Sequence, residues 1–369
     1  MPKKAVHDAS TRWPGGAYIS AASFWWPDYL EQSAWIEHAP FAFWLIESHR
    51  PRTLVELGTH GGYSYFAFCQ AVRTLGLDTR CYAVDHWKGD IHAGFYGKEI
   101  YQRVHEYSER CYGAFSSIVR STFDEALVHF PDASIDLLHL DGQHFYEDVK
   151  HDFESWRPKL SDRAIVLFHD TNVREGRFGV FKVWEELQGT SSSFEFLHGH
   201  GLGVLGYGAN LPHGIAAFLT ATTDPSVATQ VRQVYSRLGA ALQANWVVKN
   251  QVAHSAELKA GLEEREREVK DLAAKLESEE GRVKGLAAEL QAQKAGTSKF
   301  KAEVQTLNAQ VETLKAQVET LKAQRETLKA QVETLKAQER GLKNSTSWRL
   351  TGPLRFISLH AKWLFRNLR

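Results

Sequence analysis

Three short apolar runs in the sequence each end in an acidic residue, and this pattern limits the fold most strongly. Glu56, Asp85 and Asp141 close the runs, and the first is followed at once by a glycine-rich turn. Short apolar runs that end at turn residues are typical of buried strands in a parallel sheet. In an open parallel sheet, ligands bind outside the carboxyl ends of the strands. The sequence therefore predicts that carboxylates and a glycine turn surround one crevice.

Strand and helix patterns alternate over the first half of the chain. Two apolar runs within 194–207 then flank glycines, which indicates a hairpin that completes the sheet in antiparallel fashion. The alternation predicts an α/β fold, a Rossmann-like, seven-stranded, mostly parallel sheet with flanking helices. Strands are predicted at 53–57, 81–84, 116–120, 135–140 and 163–168, and helices at 63–75, 122–129, 144–157 and 178–188. The polar and aromatic insert 86–112 is predicted to close over the site as a lid.

The composition changes sharply after this region, so that two architectures share the chain. Tryptophan is absent between 247 and 347, where Ala, Glu, Lys, Gln and Leu dominate. We divide the chain into a helical cover at 1–50, a ligand-binding domain at 51–210, a helical connector at 211–254, a coiled coil at 255–343 and a basic amphipathic tail at 344–369.

A heptad repeat occupies the fourth of these segments. From Leu258 to Leu342, apolar residues fall on the a and d positions of one register, and the motif AQVETLK recurs from Ala309. This periodicity strongly predicts a coiled coil. A continuous rod of this length would measure roughly 130 Å, with a weak section at 280–300 where glycines occur. We expect a homo-oligomer, a parallel dimer or a trimer.

The tail combines basic residues on one helical arc with an adjacent apolar face. This pattern suits a membrane surface or a partner such as a glycosyltransferase. No long apolar run occurs, so no spanning segment or secretory signal is expected. We expect a cytoplasmic protein, with attachment to the inner face of the cytoplasmic membrane as the more specific option.

Overall charge and cysteine content argue against a nucleic-acid-binding protein and against a cysteine metal site. Lys plus Arg number 44 and Asp plus Glu number 44, so the net charge is zero and nucleic acid is not expected as a partner. The cysteines Cys69, Cys81 and Cys111 are odd in number and lack metal-site spacing. We expect them to be reduced.

The glycine turn has the form Glu-Leu-Gly-x-x-x-Gly-x-Ser. It is neither a dinucleotide-binding fingerprint nor a phosphate loop, and it contains no lysine. The predicted ligand is therefore a nucleoside without phosphates, whose own positive charge Glu56 would tolerate. At Gly58 and Gly62 the backbone is expected to approach this ligand so closely that a β-carbon would clash with it. Asp85 lies 27 residues beyond Gly58, where a carboxylate accepts hydrogen bonds from ribose hydroxyls.

Several motifs carry a resemblance to a known family. They are VELGTHGGYS at 55–64, VDHWKGD at 84–90, HAGFYG at 92–97, LHLDGQH at 138–144 and VLFHDTN at 166–172. Residues 53–207 resemble class I S-adenosylmethionine-dependent methyltransferases, above all the methyltransferase 24 type found beside bacterial glycosyltransferases in surface-polysaccharide synthesis. The resemblance implies that Glu56, Gly58 and Gly62 hold the methionine end of S-adenosylmethionine and that Asp85 holds the ribose.

Two acidic clusters follow neighbouring predicted strands and suggest the chemistry. We predict that Asp141, His144 and His169 are catalytic, with either histidine as the general base. Metal-dependent sugar and catechol O-methyltransferases, which the arrangement resembles, carry a carboxylate at both places. Asp141, His169 and Asp170, with Asn172 as an alternative ligand, would then bind Mg²⁺ or another divalent ion. Predicted cofactor contacts are Glu56, Gly58, Thr59, Gly62, Ser64, Asp85, His86, Trp87, Ser121, Thr122 and Asp141.

The predicted function is O-methylation of a hydroxyl on a bacterial glycan or lipid-linked sugar. Control of glycan length by the coiled coil is a more specific hypothesis. Two alternatives remain open: a non-catalytic scaffold that recruits glycosyltransferases at the membrane, and a metal-dependent, hydroxylase-like relative on the same fold.

Overall fold

The computed structural model describes residues 18–90, 94–95, 97–292 and 298–344. These residues divide into two compact units, with the boundary between Gln243 and Ala244. The predicted basic tail lies outside the described residues. Within the described residues, no helix combines the length and the apolar character needed to cross a membrane.

The first unit is built on a seven-stranded sheet. The strands of this sheet are β1 Thr53–Leu57, β2 Arg80–Asp85, β5 Ser116–Arg120, β6 Ile135–Leu140, β7 Leu160–His169, β8 Ser193–Phe196 and β9 Leu202–Gly206. Two further strands, β3 Gly89–Asp90 and β4 Gly94–Phe95, form a small separate ribbon. The strand order is β5-β2-β1-β6-β7-β9-β8. The first five strands in this order run parallel, and β9 pairs antiparallel with both of its neighbours. The predicted fold class and the terminal hairpin are confirmed.

Helices cover both faces of this sheet and continue into the second unit. They are α1 Ala39–His49, α2 Tyr63–Leu75, α3 Lys98–Tyr112, α4 Phe123–Leu127, α5 Tyr146–Trp156, α6 Val180–Leu187, α7 His213–Ala221, α8 Pro225–Ala292 and α9 Ser298–Asn344. Helix α3 occupies most of the insert that was predicted to be a lid. It buries only Val104, Ser108 and Tyr112, and this narrow stripe explains why its polar sequence did not suggest a packed helix.

The core forms where the central strands are covered on both sides. All six residues of β6 are buried, as are Leu54, Val55 and Leu57 of β1. Central parallel strands become nearly uniformly apolar because helices cover both of their faces. One of these covers is α1, which contributes Phe41 and Trp44 to the core.

An ion pair between the buried Asp136 and the exposed Arg52 connects strands at the amino-terminal edge of the sheet. Asp136 accepts hydrogen bonds from the backbone N, Nε and Nη2 of Arg52 at 2.8, 2.9 and 3.0 Å, and from Ser161 Oγ at 2.6 Å. Burial alone would raise the pKa of Asp136, but the hydrogen bonds from Arg52 and Ser161 outweigh it and lower the pKa to about 2. The ionised carboxylate therefore stabilises the fold.

Asp136→Asn is expected to lower the free energy of unfolding by about 2 kcal/mol at pH 7. Because the folded pKa is depressed, the contribution is complete above the ordinary aspartate pKa of about 3.9 and is lost as pH falls through 2. Urea unfolding of both proteins across this range measures the difference, which should vanish at the acid end. The exposed Asp132→Asn serves as the control, and a difference independent of pH would contradict the account.

The second unit contains the remainder of α8 and all of α9. Lys315 Nζ of α9 lies 4.0 Å from Glu280 Oε1 of α8. In one straight helix these residues would be roughly 50 Å apart, so the prediction of a single continuous rod is wrong. The helices lie side by side, and Leu307, Val311 and Val318 at heptad positions are nearly fully buried. The break falls inside the predicted weak section, and the oligomeric state stays a prediction.

Candidate active site

A crevice of about 660 Å³ lies at the carboxyl ends of the central strands. Its walls come from the turn after β1, the end of β2, the start of α4 and the segments that follow β6 and β7. Volumes in this range suit a ligand the size of a nucleoside with a further substituent. The sheet therefore places its ligand site where an open parallel fold is expected to have one.

The glycine turn is shaped by protein neighbours. Gly58 has φ +86°, and a Cβ there would lie 2.1 Å from the carbonyl oxygen of Asp141. Gly62 also has φ +86°, and a Cβ would clash with the ring of Phe66 at 2.6 Å. Both positions thus require glycine for the left-handed backbone and for packing. Both glycines also line the crevice, and the close approach of a ligand to their backbone stays a prediction.

Asp85 connects the second strand to this turn. Its Oδ2 accepts hydrogen bonds from the backbone N–H groups of Thr59 and His60, both at 2.9 Å, and its Oδ1 accepts one from Trp87 N at 2.6 Å. A carboxylate offers about four lone-pair sites, so one remains for a ligand hydroxyl. Asp85 lines the crevice and at the same time fixes the shape of the turn.

Glu56 does not lie on the crevice wall. It is fully buried, and its Oε2 is 2.8 Å from His139 Nδ1. His139 Nε2 accepts from the indole Nε1 of Trp35 at 3.1 Å, and because an indole only donates, Nδ1 must carry the hydrogen that is donated to Glu56. The structure therefore places Glu56 in a buried hydrogen-bonded chain with a core histidine, and its predicted contact with the methionine end is not supported.

The other predicted cofactor residues divide into two groups. Thr59, Ser64, His86 and Thr122 line the crevice, and Thr122 also caps the amino terminus of α4. Trp87 and Ser121 do not line it. Trp87 is buried against Tyr101 of α3, with 5.2 Å between ring centroids, and its Nε1 donates to the carbonyl of His60 at 3.0 Å. The predicted adenine contact of Trp87 is corrected, because the helix that buries this ring was not predicted.

Four residues at the ends of β6 and β7 form what we call the floor cluster: Asp141, His144, His169 and Asp170. His169 Nδ1 lies 3.2 Å from Asp141 Oδ1 and 3.3 Å from Asp170 Oδ2. His144 Nε2 lies 2.9 Å from Asp170 Oδ2 and 3.6 Å from Asp141 Oδ1. All four side chains line the crevice, so the two acidic motifs do meet at one place.

Opposite charges stabilise each other within the floor cluster. Burial would lower the pKa of His144, but hydrogen bonds to Asp141 and Asp170 raise it to about 9. Burial would likewise lower the pKa of His169, and the two carboxylates raise it well above its ordinary value. The same pairs hold the pKa of Asp141 and Asp170 below the usual range, although burial opposes the shift. At neutral pH the cluster therefore contains two carboxylates and two imidazolium groups.

Three members of the floor cluster fit a divalent ion. Ligand atoms of Asp141, His144 and Asp170 all lie within 4.8 Å of one another. His169, which was predicted as a ligand, donates through Nε2 to the carbonyl of Gly199 at 3.1 Å and faces the carboxylates with Nδ1. Asn172 donates its amide to the carbonyl of Leu197 at 3.0 Å. The structure thus replaces His169 with His144 in the candidate metal set.

The loop between β8 and β9 belongs to the site, although sequence reasoning treated it only as a turn. His200 lines the crevice, and its Nδ1 lies 3.1 Å from Asp170 Oδ1. The carbonyl of Gly199 accepts from both His169 and His38, at 3.1 and 2.9 Å. The sequence signal was the alternation of histidine and glycine at 198–201.

One wall of the crevice carries acidic residues that sequence reasoning missed. Asp148 and Asp152 of α5 and Asp124 of α4 all line it. Burial raises the pKa of Asp152 to about 7, and the charges of Asp148 and Asp124 add to the effect. Asp148 and Asp152 lie one helical turn apart on α5, and this spacing was the sequence signal that could have indicated a shared acidic face.

The comparison with protein families identifies this domain. Residues 55–171 match the model of the methyltransferase 24 family, described as a methyltransferase domain. The chain contains a methyltransferase domain of this family. The match includes the glycine turn, Asp85 and all four residues of the floor cluster.

The chain also has a relative in Sinorhizobium fredii, an uncharacterized protein named y4gI. The two sequences are 55% identical over 192 residues, which is 52% of this chain and 21% of the relative. The chain therefore spans about a fifth of the length of that relative.

Solved structures similar to the methyltransferase domain have low sequence identity to it. A putative caffeoyl-CoA O-methyltransferase from Staphylococcus aureus is 14% identical, with a TM-score of 0.37, over 48% of this chain and 83% of that one. The O-methyltransferase TomG from Streptomyces achromogenes, solved in complex with S-adenosylmethionine, is 16% identical, with a TM-score of 0.36, over 49% and 83% of the chains. The assignment of the domain rests on the family match.

Proposed function

We propose that this methyltransferase transfers the methyl group of S-adenosylmethionine to a hydroxyl of a glycan or lipid-linked sugar. The observation that carries the proposal is the position of the floor cluster. Asp141, His144 and Asp170 face the same crevice as the glycine turn and Asp85. A methyl donor held by the turn would thus meet groups able to orient a hydroxyl and to move its proton.

Features of the crevice support S-adenosylmethionine as the donor. None of the described residues that line it is a lysine or arginine, so the side chains best suited to nucleotide phosphates are missing from this lining. Carboxylates such as Asp85 stabilise the positive charge of a sulfonium. Asp85 also retains an acceptor site for a ribose hydroxyl.

The reaction is an in-line displacement in which the carbon–sulfur bond breaks, a carbon–oxygen bond forms and the hydroxyl proton passes to the carboxylate of Asp141 or Asp170. Its main demand on the protein is orientation, because the sulfonium is already a good leaving group. In the proposed reaction, Asp141 and Asp170 accept a hydrogen bond from the acceptor hydroxyl and direct its oxygen. His169, held by the carbonyl of Gly199, keeps both carboxylates in place.

Asp141, His144 and Asp170 would hold a divalent ion, which lowers the pKa of a hydroxyl that it binds. His144 would hold the ion in its unprotonated form, because a protonated imidazole has no lone pair for a ligand bond. The ligand set of two carboxylates and one imidazole suits ions such as Mn²⁺ or Mg²⁺. The chain itself supplies the orientation of the acceptor and the exclusion of water.

The proposal is tested with the full chain, labelled S-adenosylmethionine and a lipid-linked glycan extract. We expect label to enter a sugar, and mass spectrometry should show a gain of one methylene mass on that residue. Label that enters only protein or nucleic acid would contradict the proposed acceptor.

Removal of divalent ions is expected to lower this transfer by about a hundredfold. Activity is measured after treatment with a chelator and again after Mn²⁺ or Mg²⁺ is restored. His144→Gln should need a higher ion concentration for the same activity, whereas Asp132→Asn should respond like the natural chain. Full activity in the chelator would show that the floor cluster works without an ion.

The helical hairpin does not support control of glycan length by the coiled coil. That hypothesis assumed a single rod, but α8 and α9 lie side by side. Oligomer formation through the coiled coil, and membrane or glycosyltransferase contact through the tail, remain part of the proposal.

A further inference from the structure

Acidic side chains dominate the crevice. Seven of its lining residues are acidic: Glu31, Asp85, Asp124, Asp141, Asp148, Asp152 and Asp170. Lysine and arginine are both missing from the described part of the lining. The acids come from separate elements, so negative charge surrounds the crevice on several sides.

Some of these charges are balanced and others are not. Asp141 and Asp170 are paired with histidines of the floor cluster, and Glu31 is paired with Arg103 at 3.0 Å. The wall formed by α4 and α5 differs, because only the exposed His151 pairs there, with Asp124 at 2.9 Å. Asp148 adds a carboxylate to this wall, and Asp152, whose pKa burial raises to about 7, adds a negative charge only when it is ionised. The crevice therefore keeps an excess of negative charge beyond what one sulfonium balances.

An aromatic face accompanies these acids. The ring of Phe178 stacks on His144, with 4.7 Å between centroids and 17° between planes, and both rings line the crevice. Aromatic faces beside carboxylates are a common lining for polyhydroxylated ligands, since the ring covers C–H groups while the acids accept hydroxyl hydrogens. The acceptor end of the crevice thus offers contacts for an uncharged sugar.

We propose that the crevice selects its acceptor by charge and methylates an uncharged, polyhydroxylated sugar, while it excludes groups that carry phosphate or carboxylate. Like charges brought together in a partly closed site cost binding energy, and the imidazolium groups of His144 and His169 are already paired with Asp170 and Asp141. In a lipid-linked acceptor, the phosphate groups would therefore remain outside the crevice. This inference rests on the proposed function and narrows its substrate class.

The first test compares two adenosine ligands that differ in charge. Calorimetry with the full chain is expected to show that 5′-methylthioadenosine binds at least about a hundredfold more tightly than adenosine 5′-monophosphate. The double variant Asp148→Asn and Asp152→Asn should bind the monophosphate about tenfold more tightly than the natural chain. Asp132→Asn, on an exposed loop, is the matched control and should change neither affinity.

The outcomes separate this inference from the function on which it rests. If S-adenosylhomocysteine binds but the monophosphate binds as well as methylthioadenosine, selection by charge is overturned and the methyltransferase proposal stands. If S-adenosylhomocysteine does not bind, both the inference and the methyltransferase proposal are overturned.

A second test separates a glycan extract into neutral and anionic fractions before labelling. Label on an uncharged sugar supports the inference, and label on a phosphorylated sugar, a uronic acid or an amino group overturns it.

Discussion

Asp170→Asn is expected to lower kcat/KM for methyl transfer by about a thousandfold. Asp170 lies at the centre of the floor cluster, with His144 at 2.9 Å and His200 at 3.1 Å. Asparagine is the suitable replacement because Asp170 has φ +61°, a conformation that asparagine tolerates better than most residues. The change removes the charge while the shape of the side chain stays nearly the same. Initial rates with labelled methyl donor measure the effect.

The control for Asp170→Asn is Asp162→Asn on the same strand. Asp162 lies near the opposite end of β7 and accepts a hydrogen bond from the side chain of Asn210. This variant should retain nearly full activity. Binding of S-adenosylhomocysteine to Asp170→Asn should change little, since the loss is expected in the chemical step. Activity within about threefold of the natural chain would remove Asp170 from the proposed mechanism.

Gly58→Ala is expected to destabilise the fold by about 4 kcal/mol or more. Two costs add at this position, the left-handed backbone and the collision of a Cβ with the carbonyl of Asp141 at 2.1 Å. Because that carbonyl ends β6, the strain would spread to the floor cluster. Chemical unfolding monitored by circular dichroism measures the loss, together with the activity of the remaining folded protein.

Gly76→Ala separates the two costs. Gly76 also has positive φ, at +60°, but no atom lies within 4 Å of a Cβ built there. This variant should lose only about 1 kcal/mol, from backbone strain alone. If the two variants were equally stable, the close approach between the turn and the end of β6 would be contradicted.

The sequence predicted the sheet well because its signals are local. β1, β5 and β6 begin and end at the predicted residues. β1 and β6 are mostly apolar and are followed by turn residues, and β5 contains the β-branched pair Ile118 and Val119. The same rule brought Asp85, Asp141 and Asp170 to one edge, because parallel strands end at the same side of the sheet. These positions follow from order along the chain and need no knowledge of side-chain direction.

The directions of side chains could not be predicted in this way. Glu56 is next to last in β1 and Asp85 ends β2. Glu56 turns into the core toward His139, whereas Asp85 lines the crevice. The partner that holds Glu56 is 83 residues away in sequence. Trp87 was placed in the site because nothing in the sequence showed that α3 would cover it.

The reversal between α8 and α9 shows a different limit. A heptad register is the same whether a helix pairs with another chain or with its own continuation. The glycines near 280–300 marked the break, but they did not specify what the second helix packs against. His200 was missed for a related reason, since its role depends on a loop that returns from β8 to the end of β7.

The central claim is that the crevice at the strand ends holds S-adenosylmethionine, and calorimetric titration of the full chain with S-adenosylhomocysteine tests it most directly. We predict saturable binding with one site per chain, weakened by at least about tenfold in Asp85→Asn and unchanged in Asp162→Asn. Absence of binding to the folded natural chain, or equal affinity in Asp85→Asn, would contradict the claim.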